Sequence, residues 1–471
     1  MYKVPDSFYF RIHHVRPRFK NNIENVLIFL AEEIEKIGTA SINDFKLKLN
    51  NAIRIFPGNI NRTEKTINNW RTEISSLFGF FIELKSQGIT KAGQRALDLS
   101  QKQDLVQFFK TFLYFFQYPG GYIKSHENLK YIEKGISFKP VITILKLLKI
   151  SEEKTGKRIG ITKAEATHLL FNDLRATANL EDIHDTAKRF VHSKEKKYCY
   201  DWTGDVIRYA GDILDYMEIA NLLKSYNGLF YLNSLEKEII DFFINSFTWF
   251  DGYDEMIKDK SGDIEQIKFL QTNWYQYVNT PVEENFFNTD ILALISEDED
   301  EYKHIQEGLN SLFERADLQE LRTKEIGDLG ESLTYGHECK RITLAGREDL
   351  MHLIKIIPTS FSVGYDIQSV EIDEIKRYIE VKTTISNRAI SFHRFHLTPN
   401  EWNAAKSLAD RYFVYRLYIN KKEKRLYILQ DPEKLYKESK IDMSLNRQSG
   451  TEITFNPEAS GEYQELLTWK N

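Results

Sequence analysis

The chain has 471 residues, a formal net charge of -5 and a hydrophobic fraction of 42%, with 31 Phe and 25 Tyr. Its length exceeds what one hydrophobic core normally supports, so we expect about two to four domains. The aromatic content excludes wholesale disorder. The slightly acidic balance argues against indiscriminate binding of polyanions, although a local basic groove remains compatible with it.

The sequence carries no sign of export or of membrane insertion. No segment reaches about 18 uninterrupted apolar residues, and the N-terminal stretch lacks a long apolar core before a small-residue cleavage site. The two cysteines, Cys199 and Cys339, lie far apart and outside any Cys-x-x-Cys spacing, which argues against a thiolate zinc site or a disulfide framework. We therefore expect a soluble cytoplasmic protein with no membrane partner.

The first hundred residues predict a compact helical module. Apolar residues at helical spacing predict helices over 21–36 and 42–49. Thr63 is placed to cap a third helix, which carries Trp70. A strand over 80–84, a turn and a returning strand follow. Helix, strand, turn and strand in this order are typical of a winged helix.

A second copy of that order lies further along the chain. A helix is predicted over 162–174 with Thr162 as its cap, and another over 201–223, before a turn at 226–228 and a strand over 229–232. The repetition indicates two related modules. We expect the aromatic rings of Trp70 and Trp202 to lie in the core rather than to stack on bases.

An acidic run over 296–301 interrupts the aromatic pattern, and we interpret it as a connection between domains. A region of short strands and helices follows it. There, Gly364-Tyr365-Asp366 precedes the strand Tyr378-Ile379-Glu380-Val381-Lys382. Because side chains alternate along a strand, Glu380 and Lys382 must share one face, and a hairpin would bring Asp366 close to Glu380.

Two carboxylates and a lysine in this pattern suit phosphodiester hydrolysis. Asp366 and Glu380 would form a hard oxygen site for Mg²⁺, which offsets the extra negative charge of the reacting phosphate. Lys382 would orient or deprotonate the attacking water. The same short spacing also fits an ordinary amphipathic hairpin whose charged face is solvated.

The flanking sequence resembles the PD-(D/E)XK nucleases over about a hundred residues. A helix opened by Gly330-Glu331, the Gly-Tyr-Asp turn, the Glu-Val-Lys strand and Leu397-Thr398 with Glu401 occur in that family's order. The resemblance implies that Asp366 and Glu380 are metal ligands, that Lys382 is the catalytic lysine, and that Glu331 is an accessory acidic position. A glycine-tyrosine pair replaces the family's proline before Asp366.

The N-terminal modules resemble the recognition subdomains of type IIS restriction and nicking endonucleases of the FokI and AlwI kind. This resemblance implies a multidomain protein with mainly α, winged-helix-like recognition modules over 1–140 and 141–295, the second with its linker. A C-terminal α/β PD-(D/E)XK nuclease domain would occupy 296–471. The implied function is site-specific cleavage of double-stranded DNA, as in restriction-modification.

Three alternatives stay open at this point: a strand-nicking enzyme, a modification-dependent enzyme, and a DNA-binding regulator with an inactive nuclease fold. One nuclease site per chain would require a transient homodimer or a partner subunit for a double-strand break. Basic residues near the start are candidate DNA contacts, although such clusters also occur as solvated surface. They are Arg11, His13, Arg16, Arg18 and Lys20.

Overall fold

The computed structural model describes residues 1–13, 17, 19, 22–246, 248–282, 287–315, 326–358, 362–386, 390, 393–446, 450–457 and 462–465. Two compact units make up the chain. The N-terminal unit comprises Met1–Ser100 and Leu105–Phe287, and the C-terminal unit comprises Gln101–Asp104 and Asn288–Asn471. The finer division expected at residues 140 and 295 stays a prediction.

The N-terminal unit begins with a module of three helices and a three-stranded antiparallel sheet. Thr63 caps the third helix, as expected, by accepting a hydrogen bond from the Thr66 amide. Gly88 makes the turn between the last two strands with a φ of 68°, a conformation that favours glycine. The strand order is β1-β3-β2. The elements are α1 (Ile23–Ile37), β1 (Thr39–Ser41), α2 (Ile42–Ile55), α3 (Glu64–Ser76), β2 (Phe81–Leu84) and β3 (Ile89–Ala92).

Four helices follow and lead to a second module of similar order. They are α4 (Gln94–Lys102), α5 (Leu105–Phe115), α6 (Ser125–Glu133) and α7 (Pro140–Thr155). In the second module, Ile161 forms a bridge with Phe230 of the final strand, much as β1 pairs with β3 in the first. The module contains α8 (Lys163–Ala166), a π-helical turn (Thr167–Phe171), α9 (Leu174–Thr177), α10 (Ile183–Glu195), α11 (Gly204–Ile219), β4 (Leu223–Tyr226) and β5 (Leu229–Leu232).

Short helices complete the unit: α12 (Lys237–Asn245), α13 (Asp254–Asp259), α14 (Ile264–Phe269) and α15 (Gln271–Val278). The core is rich in aromatic rings, and Trp70 is buried in it as expected. The expectation for Trp202 was wrong, because its side chain is 54% exposed. It precedes the first turn of α11, so the helical spacing that predicted its burial does not apply to it.

The C-terminal unit opens with α16 (Ile291–Ile295), α17 (Glu299–Arg315) and α18 (Ile326–Leu344). The acidic run is not a separate connection. It forms the start of α17, where the Glu301 amide donates to Asp298 Oδ1 at 2.9 Å and the Glu297 amide donates to Glu301 Oε2 at 2.9 Å. Acidic side chains are favourable there because they oppose the partial positive charge of a helix N-terminus.

A six-stranded mixed sheet forms the centre of this unit, with the order β14-β11-β10-β8-β7-β6. Its strands β8 and β10 are parallel, whereas β7 runs antiparallel to β8. A smaller sheet has the order β12-β13-β9. The strands are β6 (Lys355–Ile356), β7 (Ile367–Val370), β8 (Lys376–Ile385), β9 (Arg394–Leu397), β10 (Tyr412–Ile419), β11 (Lys424–Gln430), β12 (Ile441–Asn446), β13 (Gly450–Phe455) and β14 (Glu462–Glu465).

Two helices, α19 (Pro399–Leu408) and α20 (Pro432–Lys437), pack with the sheets around one hydrophobic core. Trp402 of α19, Val414 of β10 and Phe455 of β13 are buried together there. The chain is thus multidomain, with a helix-rich N-terminal unit and a sheet-rich C-terminal unit, as expected. The winged-helix and PD-(D/E)XK assignments stay predictions.

A short segment from early in the chain belongs to the C-terminal unit. Gln103 is 5% exposed and accepts a hydrogen bond from Thr384 at 2.7 Å and another from Arg416. Asp104 bridges Ile385 at the end of β8 and accepts from the Thr289 hydroxyl at 2.8 Å.

None of the described helices combines the length and the apolar composition that crossing a membrane requires.

Candidate active site

The β7–β8 hairpin brings Asp366 beside Glu380, as the hairpin expected from the sequence requires. Ile367 pairs with Ile379, so Asp366 falls opposite Glu380 at the end of the ladder. The Asp366 amide donates to the Ile379 carbonyl at 2.9 Å, and the Val381 amide donates to Asp366 Oδ2 at 2.8 Å. Backbone bonds therefore hold the Asp366 carboxylate toward β8.

Gly364 sets the turn that precedes Asp366. Its φ is 80°, and a Cβ there would lie 2.8 Å from both the Ala404 side chain and the Asn400 carbonyl oxygen. The Tyr412 hydroxyl donates to the Gly364 carbonyl at 3.0 Å. A side chain at this position would clash with α19. The turn that sets the position of Asp366 therefore requires glycine.

Glu380 and Lys382 share the face of β8 that is turned toward α19. Lys382 Nζ lies 2.7 Å from Glu380 Oε1 and 2.8 Å from Glu401 Oε2. Glu380 is 3% exposed, whereas the Lys382 side chain is half-buried. The alternation predicted from the strand pattern thus places both charged groups in one cluster.

Glu401 enters the cluster from the first turn of α19, where it belongs to a capping box. Its Oε2 accepts from the Thr398 amide at 3.0 Å, and its own amide donates to Thr398 Oγ1 at 3.3 Å. The sequence motif had singled out Glu401 only as part of a family pattern, and its contact with Lys382 was missed. The Thr-x-x-Glu spacing after a strand was the signal for a helix start, but it does not show which neighbour the carboxylate contacts.

The cluster has three carboxyl groups and one ammonium to compensate them. Burial raises the pKa of Glu380 well above its ordinary range, and Asp366 and Glu401 add to this rise against the opposing effect of Lys382. Burial likewise raises the pKa of Asp366 despite Lys382. Burial lowers the pKa of Lys382, but Glu380 and Glu401 outweigh it and raise the pKa above its ordinary value. The ammonium is therefore kept protonated.

The oxygen donors of Asp366 and Glu380 fit a magnesium ion. The two side chains stand at facing positions of the β7–β8 ladder, and together with Glu401 they place three carboxyl groups beside one ammonium. No group of three His, Cys, Asp or Glu side chains suited to a metal occurs in the part of the chain that the structure describes. Mg²⁺ does not need one, because it commonly binds one or two carboxylates and completes its shell with water and substrate phosphate.

Glu331 lies half-buried in α18. It follows Gly330, where a Cβ would stand 2.2 Å from Thr383 Oγ1, so α18 approaches β8 closely at this point. Thr383 alternates with Lys382 and faces the other side of the strand. The accessory role expected for Glu331 stays a prediction.

That other side of the sheet carries a second buried glutamate, Glu338 of α18. It accepts from Arg341 at 2.7 Å, from Ser369 at 2.6 Å and from Tyr415 at 2.8 Å, and Arg377 lies 3.8 Å away. Burial would raise the pKa of Glu338, but the two guanidiniums reverse this and lower the pKa to about 2. This network balances its own charge.

Two of the five basic residues predicted to contact DNA are described. Arg11 lies over the Tyr209 ring, 5.3 Å from its centroid, and donates to the Asp205 carbonyl. His13 is joined to Tyr131 through its backbone and approaches the Tyr209 hydroxyl at 3.3 Å. Burial and the Arg11 charge lower the pKa of His13. Arg16, Arg18 and Lys20 lie outside the described residues.

The two units define a protein with a helical N-terminal part and a C-terminal sheet that buries a carboxylate–lysine cluster. Residues 2–275 match the family model described as "Restriction endonuclease BpuJI - N terminal". This match covers more than half of the chain, and the chain belongs to that family. Residues 330–429 match the model described as "Protein NO VEIN, C-terminal", and this range includes Asp366, Glu380, Lys382 and Glu401.

A solved structure is similar to part of the chain. It is described as "Crystal structure of pyrene- and phenanthrene-modified DNA in complex with the BpuJ1 endonuclease binding domain". The sequence identity is 23% and the TM-score is 0.48, over 57% of this chain and 98% of that chain. A search of curated proteins found no match.

Proposed function

We propose that the chain is a restriction-type DNA endonuclease, in which the C-terminal unit hydrolyses phosphodiester bonds with Mg²⁺ and the N-terminal unit reads duplex DNA. The observation that carries this proposal is one cluster, in which the Lys382 ammonium contacts the buried Glu380 and the half-buried Glu401, and the half-buried Asp366 stands opposite Glu380. Buried charges are costly unless they are compensated, and a divalent cation would compensate this excess. In the main sheet, α18, β6, β7, β8, α19 and β10 follow the αβββαβ order of the PD-(D/E)XK nucleases, and β9 of the smaller sheet is inserted before α19.

The residues divide the work of hydrolysis between them. Asp366 and Glu380 would hold the ion, and when bound it would neutralise phosphate charge and make water more acidic. Lys382, protonated and fixed by two carboxylates, would donate to a phosphate oxygen and stabilise the charge that develops during attack. Backbone bonds to Asp366 and the capping box around Glu401 hold these groups in place before substrate arrives.

Three features support DNA recognition by the N-terminal unit. The chain belongs to a family that is described as the N-terminal part of a restriction endonuclease. Two modules share an order of helices followed by a hairpin. In each module the last strand also pairs with an earlier segment, which is β1 in the first module and Ile161 in the second. Arg11 and Arg208 both lie over the Tyr209 ring at the start of α11, where cationic groups suit contact with phosphates.

The finer assignment is a type IIS enzyme that recognises a specific double-stranded sequence and cuts outside it. The part of the chain that the structure describes contains one candidate nuclease site, formed by Asp366, Glu380 and Lys382. A double-strand break would therefore need a transient homodimer, a partner subunit or two successive nicks. A strand-nicking or modification-dependent enzyme would use the same chemistry on a different target.

The test is digestion of a methylation-free plasmid by the full chain with Mg²⁺, followed by run-off sequencing of the ends. Cleavage at a constant distance from one sequence is expected. Ends on one strand only would assign nicking, and cutting that appears only on modified DNA would assign a modification-dependent enzyme.

Two matched substitutions show whether any cutting comes from the proposed site. Asp366→Asn should abolish cleavage, whereas Asp349→Asn removes an exposed carboxylate that pairs with Arg347 in the same unit and should leave it unchanged. Absence of cutting on all substrates, together with specific binding of a duplex, would overturn the proposal and favour a DNA-binding regulator with an inactive nuclease fold.

A further inference from the structure

The Lys382 ammonium contacts the same carboxylate that is expected to hold the metal. Lys382 Nζ lies 2.7 Å from Glu380 Oε1, which is the distance of a charge-assisted hydrogen bond. An ammonium in that position competes with any cation for the Glu380 oxygens. A metal ion can take Glu380 only if the lysine has another anionic partner or is driven away from the site.

Glu401 supplies that second partner, and it does so from a rigid position. Its Oε2 is 2.8 Å from Lys382 Nζ and also accepts from the Thr398 amide. The capping box holds this oxygen in one direction, toward β8. Unlike Glu380, the Glu401 carboxylate keeps a pKa below its ordinary value, because Lys382 and the Thr398 bonds outweigh the effect of burial. Glu401 is thus held as the second anionic partner of Lys382.

From this geometry we propose that Glu401 is a positioning residue that holds the Lys382 ammonium while Glu380 turns to the metal. This inference rests on the proposed function, because it concerns the same metal site. Without Glu401, the ammonium would have Glu380 as its nearest anionic partner and would oppose metal binding there. With Glu401, Lys382 stays beside the site at a fixed place and does not compete fully with the ion.

The test uses Glu401→Gln in the full chain. Glutamine at the third helical position keeps the capping box, so this change removes the charge and preserves the helix start. Binding of Mn²⁺ is measured from the electron paramagnetic resonance signal of the free ion, and Asp366→Asn defines the binding that belongs to this site. Glu401→Gln should weaken that binding by about 10- to 100-fold, as is typical when a supporting partner of a metal site is lost.

A double-mutant cycle separates positioning from direct ligation. Lys382→Met removes the competing ammonium and should strengthen Mn²⁺ binding. If Glu401 acts through Lys382, Glu401→Gln should then have little further effect in the Lys382→Met protein. An equally large loss in both backgrounds would make Glu401 a metal ligand and overturn the proposal.

Thr63→Ala is the control for a general loss of stability. It removes the hydroxyl cap of α3 in the N-terminal unit, so it should lower the melting temperature without changing Mn²⁺ affinity. Unchanged affinity in Glu401→Gln, in a chain that does bind Mn²⁺ through Asp366, would refute this inference alone. Absence of Asp366-dependent binding in the wild-type chain would instead refute the proposed metal site itself.

Discussion

The two faces of the six-stranded sheet both bury a glutamate, yet their surroundings shift the pKa of its carboxyl group in opposite directions. On the α18 face, Glu338 meets Arg341 and Arg377, and its pKa is lowered to about 2. On the α19 face, Glu380 shares one lysine with two other carboxylates, and burial raises its pKa well above the ordinary range. The two glutamates lie on opposite sides of the same strand region, so burial alone does not explain the difference.

The difference lies in the balance of charge around each group. The α18 network has enough donors to satisfy its carboxylate and needs nothing from outside. The α19 cluster has an excess of carboxylates, which a folded protein tolerates only at a cost in stability or with a bound cation. We read the first network as structural and the second as a site, and the following predictions test that distinction.

The largest expected effect is on cleavage by the α19 cluster. Glu380→Gln and Lys382→Met should each reduce the cleavage rate by about four orders of magnitude, or about 5 kcal/mol of transition-state stabilisation. Specific DNA binding in Ca²⁺ should persist, because phosphate and base contacts come from the N-terminal unit in this account. Rates from a plasmid assay and affinities from gel shifts provide the comparison, and loss of binding in both variants would contradict the separation of roles.

Replacing the buried glutamate by glutamine should change the free energy of unfolding in different directions on the two faces. Glu338→Gln leaves Arg341 and Arg377 without their buried carboxylate and should cost about 3 to 5 kcal/mol. Glu380→Gln relieves repulsion with Asp366, so the free energy of unfolding should be unchanged or higher. Denaturant unfolding of the full chain without divalent cations measures both. Equal losses would show that the two faces do not differ as proposed.

Acid should remove the stabilisation that comes from Glu338. Its pKa lies at about 2 in the folded chain, below its ordinary value of 4.5, so the contribution is complete above the unfolded value. It is lost as the pH falls from about 5 to about 2. The stability difference between wild type and Glu338→Gln should shrink over that range. The pKa of His337, which burial lowers to about 4 against the opposing effect of Glu338, lies in the same range. A stability difference that stays constant with pH would argue against the network.

A smaller effect is expected from replacing Gln103. Its amide oxygen is one of the neutral acceptors around the buried Arg416 guanidinium on the α19 face. Arg416 is 4% exposed and donates to Gln103, Thr384 and the carbonyls of Lys382 and Arg394. Gln103→Leu should therefore destabilise the chain by about 1 to 3 kcal/mol. The exposed Gln94→Leu is the matched control and should change stability by less than about 0.5 kcal/mol. Thermal unfolding of both variants distinguishes them.

Local patterns predicted much of the fold and part of the site. The alternation of β8 placed Glu380 and Lys382 on one face, and the glycine turn placed Asp366 next to them, because both features depend on a few neighbouring residues. The cap at Thr63 and the α19 start at Thr398 were readable for the same reason. Trp202 was misjudged because helical spacing was extended past the start of α11.

Contacts between distant segments could not be predicted in this way. Gln103 and Thr384 are 281 positions apart, and no spacing rule relates them. Glu401 reaches Lys382 only because α19 packs across the sheet, and the balance of charge on each face depends on that packing. The acidic run at the start of α17 was also ambiguous, since helix starts and connections both favour acidic residues.

Whether the α19 face binds a metal ion can be seen directly in a crystal structure of the full chain grown with Mn²⁺, with anomalous scattering used to locate the ion. We expect an anomalous peak bound by Asp366 and Glu380, with the Lys382 ammonium on Glu401 and no peak beside Glu338. A map without a peak at Asp366 and Glu380, in which Lys382 still contacts Glu380, would contradict the claim that the α19 face is a metal site.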